Sequence, residues 1–144
     1  MSEFEHCGYP CEVRMTHLFH RCGYVKVPKG HPAYGKGWND DIIDMLSVHG
    51  GVTYAADEED GYWTLGFDCA HMGDMPDLYA MEAAHDEGEI SDEEYDTLRK
   101  YAAVIEPSFL EDFFGLPPIT WTEEMVIDET MEMAEQLRKM EGML

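Results

Sequence analysis

Basic residues are scarce in this sequence: nine Lys and Arg face 31 Asp and Glu over 144 residues, a net charge of −22. A field of that sign repels phosphate backbones at long range, which argues against a direct nucleic-acid binder. Long apolar runs are missing too, and no stretch approaches the roughly 20 apolar residues that a membrane span needs. No charged-then-apolar leader opens the sequence, so the expected setting is cytoplasmic, with reduced thiols. Serine occurs only at Ser2, Ser47, Ser91 and Ser108, and no GxSxG nucleophile elbow is present. Neither the GxxxxGK(S/T) phosphate loop nor the GxGxxG fingerprint occurs, so nothing points to ATP hydrolysis or dinucleotide redox chemistry. Solenoid repeats and low-complexity tracts are absent as well.

What is present suffices for a folded core. Hydrophobic residues make up 44% of the chain, and eight Tyr, six Phe and three Trp set it apart from disordered compositions. The length fits a single domain spanning residues 1–144. Charge is unevenly placed: residues 13–36 hold Arg14, Arg21, Lys26, Lys29 and Lys36 and no acid, whereas residues 37–144 carry 28 acids against four bases. Such a segment either neutralises acidic elements packed against it or forms a local anion site.

The first 70 residues read as β-rich. Val13 and Met15 mark one short strand, and Tyr24, Val25 and Val27 another, ending at the Pro28-Lys29-Gly30 breaker. Asn39 or Asp40 can cap a short helix over Ile42, Ile43, Met45 and Leu46. Val52–Ala55 and Tyr62–Phe67, joined by the acidic turn from Asp57 to Gly61, form a predicted hairpin. Beyond Pro76 the pattern turns helical. Ser91-Asp92-Glu93-Glu94 is a capping box before Tyr95, Leu98, Tyr101, Ala102 and Ile105, and Pro107 and the run Gly115 to Pro118 break the helical pattern beyond them. Thr120-Trp121-Thr122-Glu123 reads as a second box, before a stripe of Val126, Thr130, Met133, Leu137, Met140 and Leu144 that belongs to the core or a subunit interface. The predicted class is α+β, a small antiparallel sheet from the N-terminal half with C-terminal helices packed on it.

Three constellations can carry chemistry. At the exit of the second hairpin strand, Asp68, His71 and Asp74 follow one another three residues apart, and His49 stands beside Gly50-Gly51 before the partner strand. If the hairpin register brings them together, two His and two carboxylates surround a point suited to zinc or manganese, with a position left for water. The bland alternative is an Asp–His turn that only satisfies backbone donors. The second constellation is the loop from Lys29 to Trp38, where Lys29, Lys36, His31 and Tyr34 supply charge and hydrogen bonds, Trp38 a stacking surface, and the glycines, with Gly50 and Gly51, close backbone approach. It suits a small phosphorylated or nucleotide-like ligand; its alternative is a Gly-Pro loop with solvated lysines. The third is acidic: residues 82–96 and 123–135 form a solvated face or a decoy for a phosphate backbone.

Cysteine chemistry has thin support. Cys7, Cys11 and Cys22 with His6, His17 and His20 lack the paired spacing of zinc modules, which favours buried free thiols. Cys69 and His71, two residues apart on a strand-like exit, point to opposite sides.

The runs His20-Arg21-Cys22-Gly23-Tyr24-Val25 and Pro28-Lys29-Gly30-His31-Pro32-Ala33-Tyr34-Gly35, together with His49-Gly50-Gly51-Val52-Thr53-Tyr54 and Gly66-Phe67-Asp68-Cys69-Ala70-His71-Met72-Gly73-Asp74, resemble a family of small phage-encoded proteins of unassigned role. The resemblance implies a viral accessory protein in the bacterial host cytoplasm and carries no catalytic residues with it. Three readings stand: an antagonist of host defence that binds a nucleotide-derived ligand, expected as a homo-oligomer; a metal-dependent hydrolase of a phosphorylated substrate; and an acidic nucleic-acid mimic that occupies a host protein. The first is the leading expectation, with no catalysis required of it.

Overall fold

The computed structural model describes residues 2–71, 73–105 and 119–143. Strands β1 (Ser2–His6), β2 (Tyr9–Met15), β3 (Arg21–Pro28), β4 (Tyr54–Asp57) and β5 (Tyr62–Asp68) form one antiparallel sheet in the order β1-β2-β3-β5-β4. Helices α1 (Asp41–Asp44), α2 (Leu78–Asp86), α3 (Asp92–Ile105) and α4 (Glu123–Met140) follow, and β6 (Asp74–Met75) pairs in parallel with β7 (Ile119–Thr120). The class is α+β, as the pattern predicts.

Alternation builds the sheet. Cys11, Val13, Val25, Val27, Leu65 and Phe67 point into the core, while Glu12, Arg14, Tyr24 and Lys26 take the other face. β1 has no such signal, since Phe4 is its one large apolar residue; Cys7 and Gly8, both at positive φ, turn it back onto β2. The hairpin forms, with Tyr54 opposite Gly66 and Asp57 opposite Trp63, so its first strand starts two residues later than expected.

Helix α4 lies across β2 and β3. Its buried stripe is Val126, Thr130, Met133, Leu137 and Met140, with Ala134 beside it, so the stripe is core. Thr122 rather than Thr120 caps it, accepting from the Met125 N–H. Gly23 permits the contact: a Cβ there would lie 2.2 Å from Thr130 Oγ1. The segment between β3 and β4 then runs alongside α4. His31 bonds the Leu137 carbonyl, Ser47 exchanges two hydrogen bonds with Gln136, and the His49 N–H donates to Glu129. Asp40 caps α1 and Ser91 caps α3, both as predicted; Asp77 caps α2, where the sequence pattern marks no cap. The breakers at Pro107 and Gly115–Pro118, and Leu144 of the stripe, lie outside the described residues.

Ion pairs spend most of the basic segment, with Arg14 and Lys26 on the open face of the sheet. Arg14 sits 4.3 Å above the Tyr24 ring and pairs with Glu12 and Glu58; Lys26 pairs with Glu58 and Asp60; Arg21 pairs with Asp77. The Arg14 guanidinium, helped by Lys26 and Tyr54, holds the Glu58 carboxyl down to about 2. A carboxyl lowered in the fold stabilises fully above its ordinary pKa near 4.5, and that contribution disappears as pH falls toward 2. Glu58→Gln is therefore expected to cost about 2 kcal/mol at pH 7. Urea denaturation should show the gap to the parent narrowing below pH 4.5; an equal gap at pH 7 and pH 3 would contradict the assignment.

Candidate metal centre

Strand β5 delivers Asp68 to the end of the sheet. Its Oδ1 accepts from the Ala70 N–H at 3.1 Å, which bends the chain out of the strand, and a turn closed by the Asp74 N–H on the His71 carbonyl folds it back. The β6–β7 pairing then anchors Asp74. His49 arrives on a separate turn, closed by the Gly51 N–H on the Val48 carbonyl with Gly50 at φ +71°. The backbone bonds from His49 to Glu129 and from Thr53 to Gly66 fix its position.

These turns bring His49, His71 and Asp74 to one point, with one ligand atom from each within 4.8 Å of the others. Asp74 is 4% exposed, and its carboxylate accepts from His49 Nε2 at 2.8 and 3.0 Å and from the His71 N–H at 2.9 Å. His71 Nδ1 stands 3.4 Å from Asp74 Oδ2. The two rings meet edge to face at 5.2 Å, and Trp121 stacks on His49 at 4.2 Å. His71 Nδ1 is buried and has no hydrogen-bond partner among the described residues. Buried polar atoms are rarely left so, and an ion is one of the few things that accounts for one. Ligands about 2.05 Å from a tetrahedral zinc lie about 3.3 Å apart, and the Asp74 carboxylate stands 2.8 Å from His49 Nε2 and 3.4 Å from His71 Nδ1.

Asp68 does not join this trio. Its Oδ1 is 3.4 Å from His71 Nε2, and its Oδ2 accepts from Thr53 Oγ1 at 2.9 Å. It stands behind His71, in the place of an outer carboxylate that would orient a ligating imidazole, so of the expected set of four, three converge and Asp68 stands beside them. Gly50 packs flat on the His71 ring: a Cβ at Gly50 would fall 2.1 Å from His71 Cε1. Sequence spacing gives Trp121, Glu129 and Thr53 no part in this site, and each is tied to it by a fold contact that spacing does not register.

The basic loop assembles differently from the expected anion pocket. It is a chain of turns, the His31 N–H on the Pro28 carbonyl with Gly30 at φ +95° and the Lys36 N–H on the Ala33 carbonyl with Gly35 at φ +78°. His31 is buried: Nε2 donates to the Leu137 carbonyl at 2.8 Å and Nδ1 accepts from the Ala33 N–H at 2.9 Å. Both nitrogens are spent on the backbone, so His31 offers a ligand nothing. Tyr34 packs against Trp63, whose indole N–H bonds the Lys36 carbonyl. Lys29 and Lys36 stay exposed. Pro28 pairs with Tyr62 and Cys22 with Asp68, so Lys29 follows one end of β3 and the turn carrying His71 and Asp74 leaves the other, along a strand span of about 20 Å.

Trp38, Gly50 and Gly51 do share a hollow of about 340 Å³. Asn39 and Asp44 join Trp38 at its exposed rim, and buried Ile43, Leu46 and Val52 line its depth. Neither lysine lines it.

Cys11, Cys69 and His20 are built into the core. Cys69 is 1% exposed and burial pushes its thiol well above the ordinary value; burial pushes Cys11 up to about 12. Neither is a thiolate nucleophile, and no cysteine–histidine group converges on a metal position among the described residues. His20 donates from Nδ1 to the Cys69 carbonyl and accepts the Tyr101 hydroxyl at Nε2, and burial lowers its pKa.

No protein-family model, curated protein or solved structure matches this chain.

Proposed function

We propose that the protein is a metal-dependent hydrolase of a phosphorylated substrate, built around one zinc-class divalent ion held by His49, His71 and Asp74. The observation that carries this reading is the partnerless His71 Nδ1, buried beside a buried carboxylate and a second imidazole. Two imidazoles and one carboxylate would hold a divalent ion with room left for water. The ion would supply water activation at neutral pH, the water's oxygen replacing the ester oxygen on phosphorus and its proton passing to the leaving group. The leading expectation from sequence, an anion pocket in the basic loop, loses weight because His31 is committed to the backbone. The motif resemblance supplies the proposed setting, a phage accessory protein acting on a phosphorylated host-defence signal.

The test is metal content and turnover on one preparation. The protein is stripped with chelator, reloaded with zinc or manganese, and assayed on bis(4-nitrophenyl) phosphate beside His49→Ala. One ion per chain, with hydrolysis that needs the ion and falls at least a hundredfold in the variant, is expected. An ion bound without turnover would overturn the enzyme and keep the metal site; no ion bound would overturn both.

A further inference from the structure

Gly50 belongs to two places at once. One side of its backbone packs on the His71 ring, and the same residue lines the hollow that reaches Trp38 and Asp44. His49, His71 and Asp74 do not line the hollow, so Gly50 is the residue the two places share, and a ligand reaching both would cross its backbone. The hollow's volume, about 340 Å³, lies at the low end for small-molecule sites and suits one flat ring system. Charge says what kind. The lining holds one carboxylate, Asp44, with no ion-pair partner among the described residues, and no Lys or Arg. A phosphate is disfavoured there; an uncharged group carrying N–H donors is favoured. Trp38 is 60% exposed at the rim, a free aromatic face on which a planar heterocycle can stack. Leu46 and Val52 supply the apolar depth.

We propose that this hollow holds the base of a purine nucleotide, guanine above all, stacked on Trp38 with its paired N–H donors on Asp44, while the phosphate sits at His49, His71 and Asp74. A carboxylate accepts two parallel N–H donors, and guanine presents such a pair on one edge. The proposal rests on the metal reading for the phosphate, but the base site stands independently of it. A chain of charge −22 repels a free nucleotide, so the metal strengthens nucleotide binding and leaves nucleoside binding unchanged.

Calorimetry with guanosine, uridine and guanosine 5′-monophosphate, each on stripped and zinc-loaded protein, tests this. Guanosine is expected to bind both forms alike and at least tenfold tighter than uridine, and zinc is expected to tighten the monophosphate alone. Trp38→Ala and Asp44→Asn, both at exposed positions, should each weaken guanosine at least tenfold without changing zinc affinity. Guanosine that fails to bind, or binds both variants as it binds the parent, overturns the base site even if zinc-dependent hydrolysis is found. Guanosine binding that needs Asp44 in a protein that holds no zinc keeps the base site and removes the metal reading.

Discussion

His71→Ala is expected to lower zinc affinity at least a hundredfold while leaving the stability of the metal-free protein within about 1 kcal/mol of the parent. The two halves of this result have one cause. His71 Nδ1 is a buried atom that makes no hydrogen bond among the described residues and stands 3.4 Å from Asp74 Oδ2, so the metal-free fold recovers little of the cost of its desolvation. Removing the ring relieves that cost and offsets the packing lost on Gly50 and against His49. Asp74→Ala should behave differently. Its carboxylate accepts from the His49 ring and from the His71 backbone, and deletion leaves both part-buried donors without their acceptor. Zinc binding should again vanish, but with a loss of about 2 kcal/mol of metal-free stability. Zinc calorimetry and urea melts of both variants decide the matter. If His71→Ala destabilises the metal-free protein as strongly as Asp74→Ala, His71 is a structural element of the turn and the metal site falls.

Gly23→Ala should cost about 3 kcal/mol. The added Cβ would stand 2.2 Å from Thr130 Oγ1 and 2.6 Å from Phe67 Cε1. Neither neighbour can yield easily. Thr130 is fully buried with its hydroxyl on the Val126 carbonyl, and Phe67 is 1% exposed. Helix α4 must lift from β3, which also strains the Glu129 contact that holds His49. Thr130→Ala should return part of the loss in the double variant, because it removes the closer of the two clashes. Urea denaturation of the two single variants and the double variant tests this, and an additive double variant would show that the helix does not press on Gly23 at Thr130.

Local order in the protein was legible wherever neighbours along the chain decide it. Asp40 and Ser91 each satisfy amides two or three residues away, and the stripe on α4 follows from helical spacing alone. The β4–β5 hairpin follows from two apolar runs and a turn between them. Where a competing local choice existed, the sequence misled by small steps. Thr122 took the cap that Thr120 was expected to hold, and β1 formed on the pairing offered by β2 rather than on any pattern of its own.

Residue order alone dictated the α+β class and the caps of α1 and α3, and it offered His49, Asp68, His71 and Asp74 as candidates whose meeting the hairpin register had to decide. Long-range contacts selected which of the seven histidines remain free to act, because each imidazole's fate depends on partners far along the chain. His31 spends Nε2 on a carbonyl 106 residues away, and His20 is held between partners 49 and 81 residues away. The folded chain also separated the basic loop from the metal trio, since strand register fixes which end of the sheet each one occupies. His71 is left with a buried nitrogen that no described residue satisfies, and that single uncompensated atom is what makes a turn into a candidate metal centre.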